Sequence, residues 1–221
     1  MVDIFDEVSD DLRGERTLRL LQRFGGLIIA AALLVVLGVA AQQGYLWHQT
    51  RQDNQAATQY LQITQAIDAQ GDTASNDQRI ADARQLTGFA ANAPAGYRTL
   101  SRLRAAGLYA AAGQLPQAAT LWNAVSADTS ADILLRNLAD LMWAQQELGT
   151  APNADIAARL QPLTGSQNPF HGLAQETQAL LYVREGKIDQ AKALFSQIAS
   201  DPGAPDGVRN RADGLLAKLN G

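Results

Sequence analysis

The residues able to carry acid–base or metal chemistry are few and scattered. The chain has 221 residues, with two histidines and no cysteine. His48 and His171 stand 123 positions apart, and neither has a partner at i+3 or i+4. The acid pairs Glu185/Asp189 and Asp128/Asp132 are separated by turns or lie on solvated faces, and no buried site is visible that would shift their pKa. Without cysteine there is no thiolate nucleophile, no disulfide staple and no cysteine zinc site. No glycine-rich phosphate loop, nucleophile elbow, HExxH or calcium loop is present, and Gly25-Gly26 cradle nothing. The expectation is a protein that is not an enzyme, with no cofactor and no metal. Formal charge is −4 overall, and 14 basic against 16 acidic residues remain from His48 onward. No basic patch emerges, which excludes an electrostatic case for nucleic acid. What is left is binding chemistry, and its meaning depends on the elements that position it.

The first element is an uncharged run from Phe24 to Trp47 (FGGLIIAAALLVVLGVAAQQGYLW). As α-helix it rises about 36 Å, enough for a hydrocarbon core of about 30 Å with some tilt. Gln42, Gln43, Tyr45 and Trp47 supply the amphipathic fringe expected at a membrane–water interface. Arg13, Arg16, Arg19 and Arg23 precede the run, and only Arg51 follows closely. The positive-inside rule therefore predicts a cytoplasmic N-terminus and residues 48–221 across the membrane. A cleaved leader is the alternative, because Val39-Ala40-Ala41 before Gln42 fits a small-residue cleavage pattern. Against it stand the long mixed-charge stretch before the run and an apolar segment beyond the usual signal length. Residues 1–23 read as an amphipathic helix with Ile4, Phe5, Val8 and Leu12 on one face. Such a leader either docks a cytoplasmic partner or only sets topology.

Beyond the span the helical pattern continues to about Gln70, where Gly71-Asp72 and Ser75-Asn76-Asp77 stop one helix and start another. Helices then alternate with short turns, and no segment has the period-2 alternation of a strand. Pro116, Pro152 and Pro205 sit where helices begin, Pro94, Pro169 and Pro202 fall in gaps, and Pro162 lies near a helix end. The expected fold class is all-α: one N-terminal transmembrane helix followed by an array of α-hairpins, an α-solenoid.

An internal repeat explains the alternation. Residues 105–128 align without gaps on residues 178–201 at an offset of 73, with eight of 24 positions identical. Among them are Ala106/Ala179, Tyr109/Tyr182, Gly113/Gly186 and Ala118/Ala191, and Trp122 meets Phe195. Leu138, Leu141, Met142 and Gly149 repeat the first half between the copies, so the glycines fall 36 and 37 residues apart. Tyr60, Ile63, Ile67, Gly71, Ala83 and Phe89 outline a vaguer earlier unit. This helix–turn–helix period is that of tetratricopeptide repeats. Stacked hairpins of this kind line a groove with their first helices. Alignment to the repeat places Arg136, Trp143, Gln146, Glu176, Leu180 and Arg184 on that side. Trp143 is either the aromatic anchor of the groove or a ring packed against the neighbouring hairpin.

The opening DIFDEVSDDLRGERTLRLLQRFGG, the arginine-flanked span and the degenerate hairpins together resemble the YfgM-like ancillary subunits of the bacterial Sec translocon. The resemblance implies a membrane-anchored periplasmic adaptor beside SecYEG that works with periplasmic chaperones on exported clients. It implies protein partners and no small-molecule substrate. The alternative is a scaffold or regulator that signals through its cytoplasmic N-terminal helix or organises an envelope complex.

Overall fold

A computed structural model describes the backbone of residues 4–221, and the side chains from Gly26 onward except Ile28 and Asp72. The apolar face expected on the leader (Ile4, Phe5, Val8, Leu12) and the four flanking arginines lie outside the described side chains. The chain divides into two compact units, Met1–Gln55 and Ala56–Gly221.

The described residues of the first unit lie within helix α1, Ile4–Asp68, which is 65 residues long. From Ile29 this helix is long and apolar enough to cross a membrane, and none of its apolar window is buried. Leu34, Val36 and Leu37 are exposed on successive faces, as an isolated span requires. At the end of the apolar run the Arg51 guanidinium lies 5.5 Å from the centroid of the Trp47 ring. His48 is exposed on the same helix and bonds Gln52 at 3.1 Å.

In the second unit all the described secondary structure is helical. The last turns of α1 are followed by α2 (Asn76–Ala90), α3 (Ala95–Ala111), α4 (Leu115–Ser126) and α5 (Ile133–Gln146). Then come α6 (Asn153–Leu160), α7 (His171–Arg184), α8 (Ile188–Ser200) and α9 (Asp206–Asn220). Consecutive helices pair as hairpins, and the first helices also meet in the order α3, α5, α7, α9. Helix starts follow local chemistry. Ser75 accepts from the Gln78 amide at 3.2 Å, and the Asp132 carboxylate accepts from the Leu134 amide at 2.7 Å, so two orphan N–H groups are capped. Pro94, Pro152 and Pro205 occupy the residue before α3, α6 and α9, and Pro116 lies in the first turn of α4, where a missing N–H costs nothing.

The repeat read from the sequence is realised atom for atom at its two best copies. In α3–α4 the Gln114 amide donates to the Tyr109 carbonyl at 2.8 Å, and Gly113 donates to Ala110 at 3.0 Å. In α7–α8 Lys187 donates to Tyr182 at 2.9 Å, and Gly186 donates to Val183 at 3.0 Å. Both are Schellman closures, which need a left-handed residue after the helix. Gly113 and Gly186 supply it at φ +75° and +74°. The small residues Ala106, Ala118, Ala179 and Ala191 are fully buried, as are the rings of Trp122 and Phe195. In the earliest unit Tyr60 on α1 faces Phe89 of α2 at 6.4 Å and Tyr97 of α3 at 5.8 Å. Burial holds the Tyr60 hydroxyl pKa above its usual value.

Gly149 departs from the pattern. It has no positive φ and closes a 3₁₀ turn, Glu147–Gly149, in which the Ala151 amide reaches back to the Glu147 carbonyl at 2.9 Å. The extra residues Thr150 to Pro152 make the reversal, so the middle hairpin turns without a left-handed glycine.

Candidate protein-binding surface

The first helices α5, α7 and α9 enclose a hollow of ≈190 Å³. Gln145 and Leu148 come from the end of α5 and the turn after it, Glu176, Thr177 and Leu180 from α7, and Arg211 from α9. The helical period puts Glu176, Thr177 and Leu180 on one face of α7. Glu176 is 7 % exposed and receives a two-pronged bond from Arg211, Nε to Oε1 and Nη2 to Oε2, each at 2.7 Å. That fork is a strong form of carboxylate recognition. The hydrogen bonds that Arg211 donates to Glu176 raise the Arg211 pKa. Gln145 spans the gap to the Thr177 hydroxyl at 3.4 Å. The hollow thus offers an apolar patch, Leu148 and Leu180, framed by a satisfied ion pair and one amide.

Of the six residues expected in a groove, Glu176 and Leu180 come together in this hollow. Arg184 stands at its edge, where Nη1 donates to the carbonyls of Leu148 at 2.6 Å and Ala151 at 2.9 Å. It pins the α5–α6 turn. Gln146 is exposed beside that turn. Arg136 lies at the other end of α5, with Nε donating to the Ser126 carbonyl at 2.9 Å. Trp143 is the correction: it is 8 % exposed and lies under the Arg159 guanidinium of α6, 3.8 Å from the ring centroid. Its ring therefore packs within its own hairpin and offers no anchor. Gly149, the turn glycine of this copy, is not the left-handed residue that Gly113 and Gly186 are in the other two.

Sequence reasoning missed Gln145, Leu148, Thr177 and Arg211. The signal for Arg211 was present, since it stands 35 residues after Glu176, one repeat further on. His171 and the acid pairs make contacts within the fold. His171 opens α7 and ties two loops, Nδ1 to the Asn168 carbonyl at 3.0 Å and Nε2 to Asp201 at 3.2 Å. Glu185 is paired with Lys187 at 2.7 Å. The Asp128 carboxyl pKa is lowered by bonds from the Ser130 hydroxyl and amide, with Arg102 at 3.7 Å.

An all-helical array of hairpins whose first helices share one face, with a shallow, mostly apolar hollow on it, defines a protein-binding repeat domain. The chain belongs to the tetratricopeptide repeat-like domain family, whose pattern matches residues 19–218. The match begins before the apolar run, so the exposed helix and the hairpins fall within one family pattern. No curated protein and no solved structure matches the chain.

Proposed function

We propose that the protein is a single-span adaptor of the bacterial inner membrane. Residues 1–23 are the cytoplasmic leader, 24–47 the transmembrane helix and 48–221 the periplasmic repeat domain. The repeats hold exported proteins beside the Sec translocon and assist periplasmic chaperones there. The observation that carries this reading is the fully exposed apolar helix leading into a hairpin array of a protein-binding family. The order of arginines around the span supports the orientation. The likeness of the leader and span to the YfgM-like translocon subunits supports the choice of partner. Physically, an anchor confines the domain to the membrane surface and raises its effective concentration near emerging chains, so weak contacts suffice.

The test is photo-crosslinking in native membranes, with the probe placed in turn at Gln145 and Leu180. Adducts with translocon subunits, periplasmic chaperones or exported chains are the expected result. Adducts only between copies of the protein itself would refute the adaptor reading.

A further inference from the structure

A second recess lies where one hairpin meets the next. It is a cleft of ≈680 Å³ between α6 and α8, with α7 as its floor. That volume falls in the range of ligand sites, about 300–1,000 Å³. Ala154, Ala157 and Ala158 of α6 form one wall, Leu194 of α8 stands opposite, and Gln178 and Tyr182 rise from the floor.

The cleft is open for two reasons that the repeat itself exposes. At the 73-residue offset Gln178 corresponds to Ala105 and Tyr182 to Tyr109. Ala105 is fully buried and Tyr109 is 9 % exposed, whereas Gln178 and Tyr182 are only half-buried. The second helix of the preceding hairpin differs: α2, before the first copy, has 15 residues, and α6, before the second, has eight and runs on only through a 3₁₀ turn, Gln161–Leu163. The shorter helix leaves uncovered what the longer one's hairpin buries. The second reason is a missing bridge. Arg159 precedes the buried Leu160 of α6 and reaches back to Asn123 of α4 at 2.6 Å. Leu194 precedes the buried Phe195 of α8 in the same way, and a leucine ties nothing to α6.

The lining says what fits. Among the described residues, the side-chain amides of Gln161 and Gln178 and the Tyr182 hydroxyl make no hydrogen bond within the protein. Each amide offers both donors and an acceptor. At the mouth Glu185 and Lys187 neutralise one another at 2.7 Å. A charged ligand finds no net counter-charge here, and an acyl chain would strand the amides. A docked helix has already satisfied its main-chain groups internally. An extended polypeptide has not, and its N–H and C=O groups match the amides. The alanine wall presents only methyl groups, which select little among residue types. The α6 wall is about 12 Å long, which spans about four extended residues.

We infer that the α6–α8 cleft binds a short extended polypeptide segment through its main chain, with little regard to its side chains. This rests on the adaptor reading and gives it a mode of client contact away from the α5–α7–α9 hollow.

The test uses the full chain in lipid nanodiscs and an uncharged decapeptide of Gly, Ser, Thr and Ala carrying a terminal benzophenone. Adducts are mapped by mass spectrometry after irradiation. The expected adducts fall on residues 154–194 around the cleft. A scrambled peptide competes equally, and a backbone N-methylated peptide of the same composition competes at least about tenfold more weakly. Ala158→Trp, which fills the cleft, and Gln178→Leu, which removes an amide at similar volume, each reduce adducts about tenfold or more with the helical melting transition retained. Equal competition by the N-methylated peptide, adducts confined to the α5–α7–α9 hollow, or no adduct would overturn the inference. None of those results touches crosslinks from Gln145 and Leu180 to the translocon, so failure of the cleft and failure of the adaptor reading are separable.

Discussion

The Arg159 guanidinium lies 3.8 Å from the centroid of the Trp143 ring, and the same arginine reaches Asn123 at 2.6 Å and Asp140 at 3.2 Å. One side chain thereby joins α4, α5 and α6. Asp140 also accepts from the Ser126 hydroxyl at 2.7 Å, so the acceptor side of the cluster is occupied. Trp143 is thus a structural ring. Trp143→Ala should lower stability by about 3–5 kcal/mol, the range for deleting a buried large aromatic. Arg159→Lys keeps the charge but loses the planar fork, and should cost about 1 kcal/mol. Urea unfolding of the two single variants and the double variant checks both values, and a coupling near zero would rule out the stacked contact.

Glycine substitutions separate the three turns. Gly113→Ala and Gly186→Ala place a Cβ on a left-handed backbone and should each cost about 1–2 kcal/mol. Gly149→Ala meets no positive φ and no atom within 4 Å. It should be neutral or stabilise by about 0.4–1 kcal/mol, through the unfolded chain. Thermal melts of the three variants give the order directly.

The Glu176–Arg211 pair is asymmetric, with the carboxylate side chain 9 % exposed and the guanidinium 54 %. Arg211→Met strands a nearly buried charge and should destabilise by about 1–3 kcal/mol, less than a fully buried pair would because Arg211 faces solvent. Adding Glu176→Gln to that variant should recover part of the loss. Denaturant midpoints of the single and double variants measure the recovery.

Acid sensitivity has a named contributor. The Asp201 carboxyl pKa is lowered first by the Gly203 amide and then by the bond to His171. A carboxyl whose folded pKa lies below its unfolded value stabilises fully above the unfolded value, and that gain is lost as pH falls through the folded one. The melting-temperature gap between the wild type and Asp201→Asn should therefore shrink as the pH falls below about pH 4. A gap that widened on acidification would contradict the assignment.

The apolar run, the arginines before it, the all-helical pattern and the 73-residue repeat were legible because each is local or periodic. A Schellman turn needs Gly at one place, a helix pair needs Ala at another, and both marks recur at Gly113/Gly186 and Ala118/Ala191. The middle hairpin broke this legibility. Residues Thr150 to Pro152 move the reversal away from Gly149, and alignment to the repeat misplaces Trp143 in this copy.

The sequence by itself determined that the chain is an exposed apolar helix followed by paired helices of one repeat, since hydrophobic period, caps and turn residues act within a few positions. Only the tertiary structure decided which face of α5 is spent on Arg159, that Arg211 closes on Glu176, and that the short α6 leaves a cleft over Gln178. Those outcomes depend on side chains some 35 residues apart meeting across adjacent hairpins. Such meetings are set by helix lengths and packing and not by any local signal.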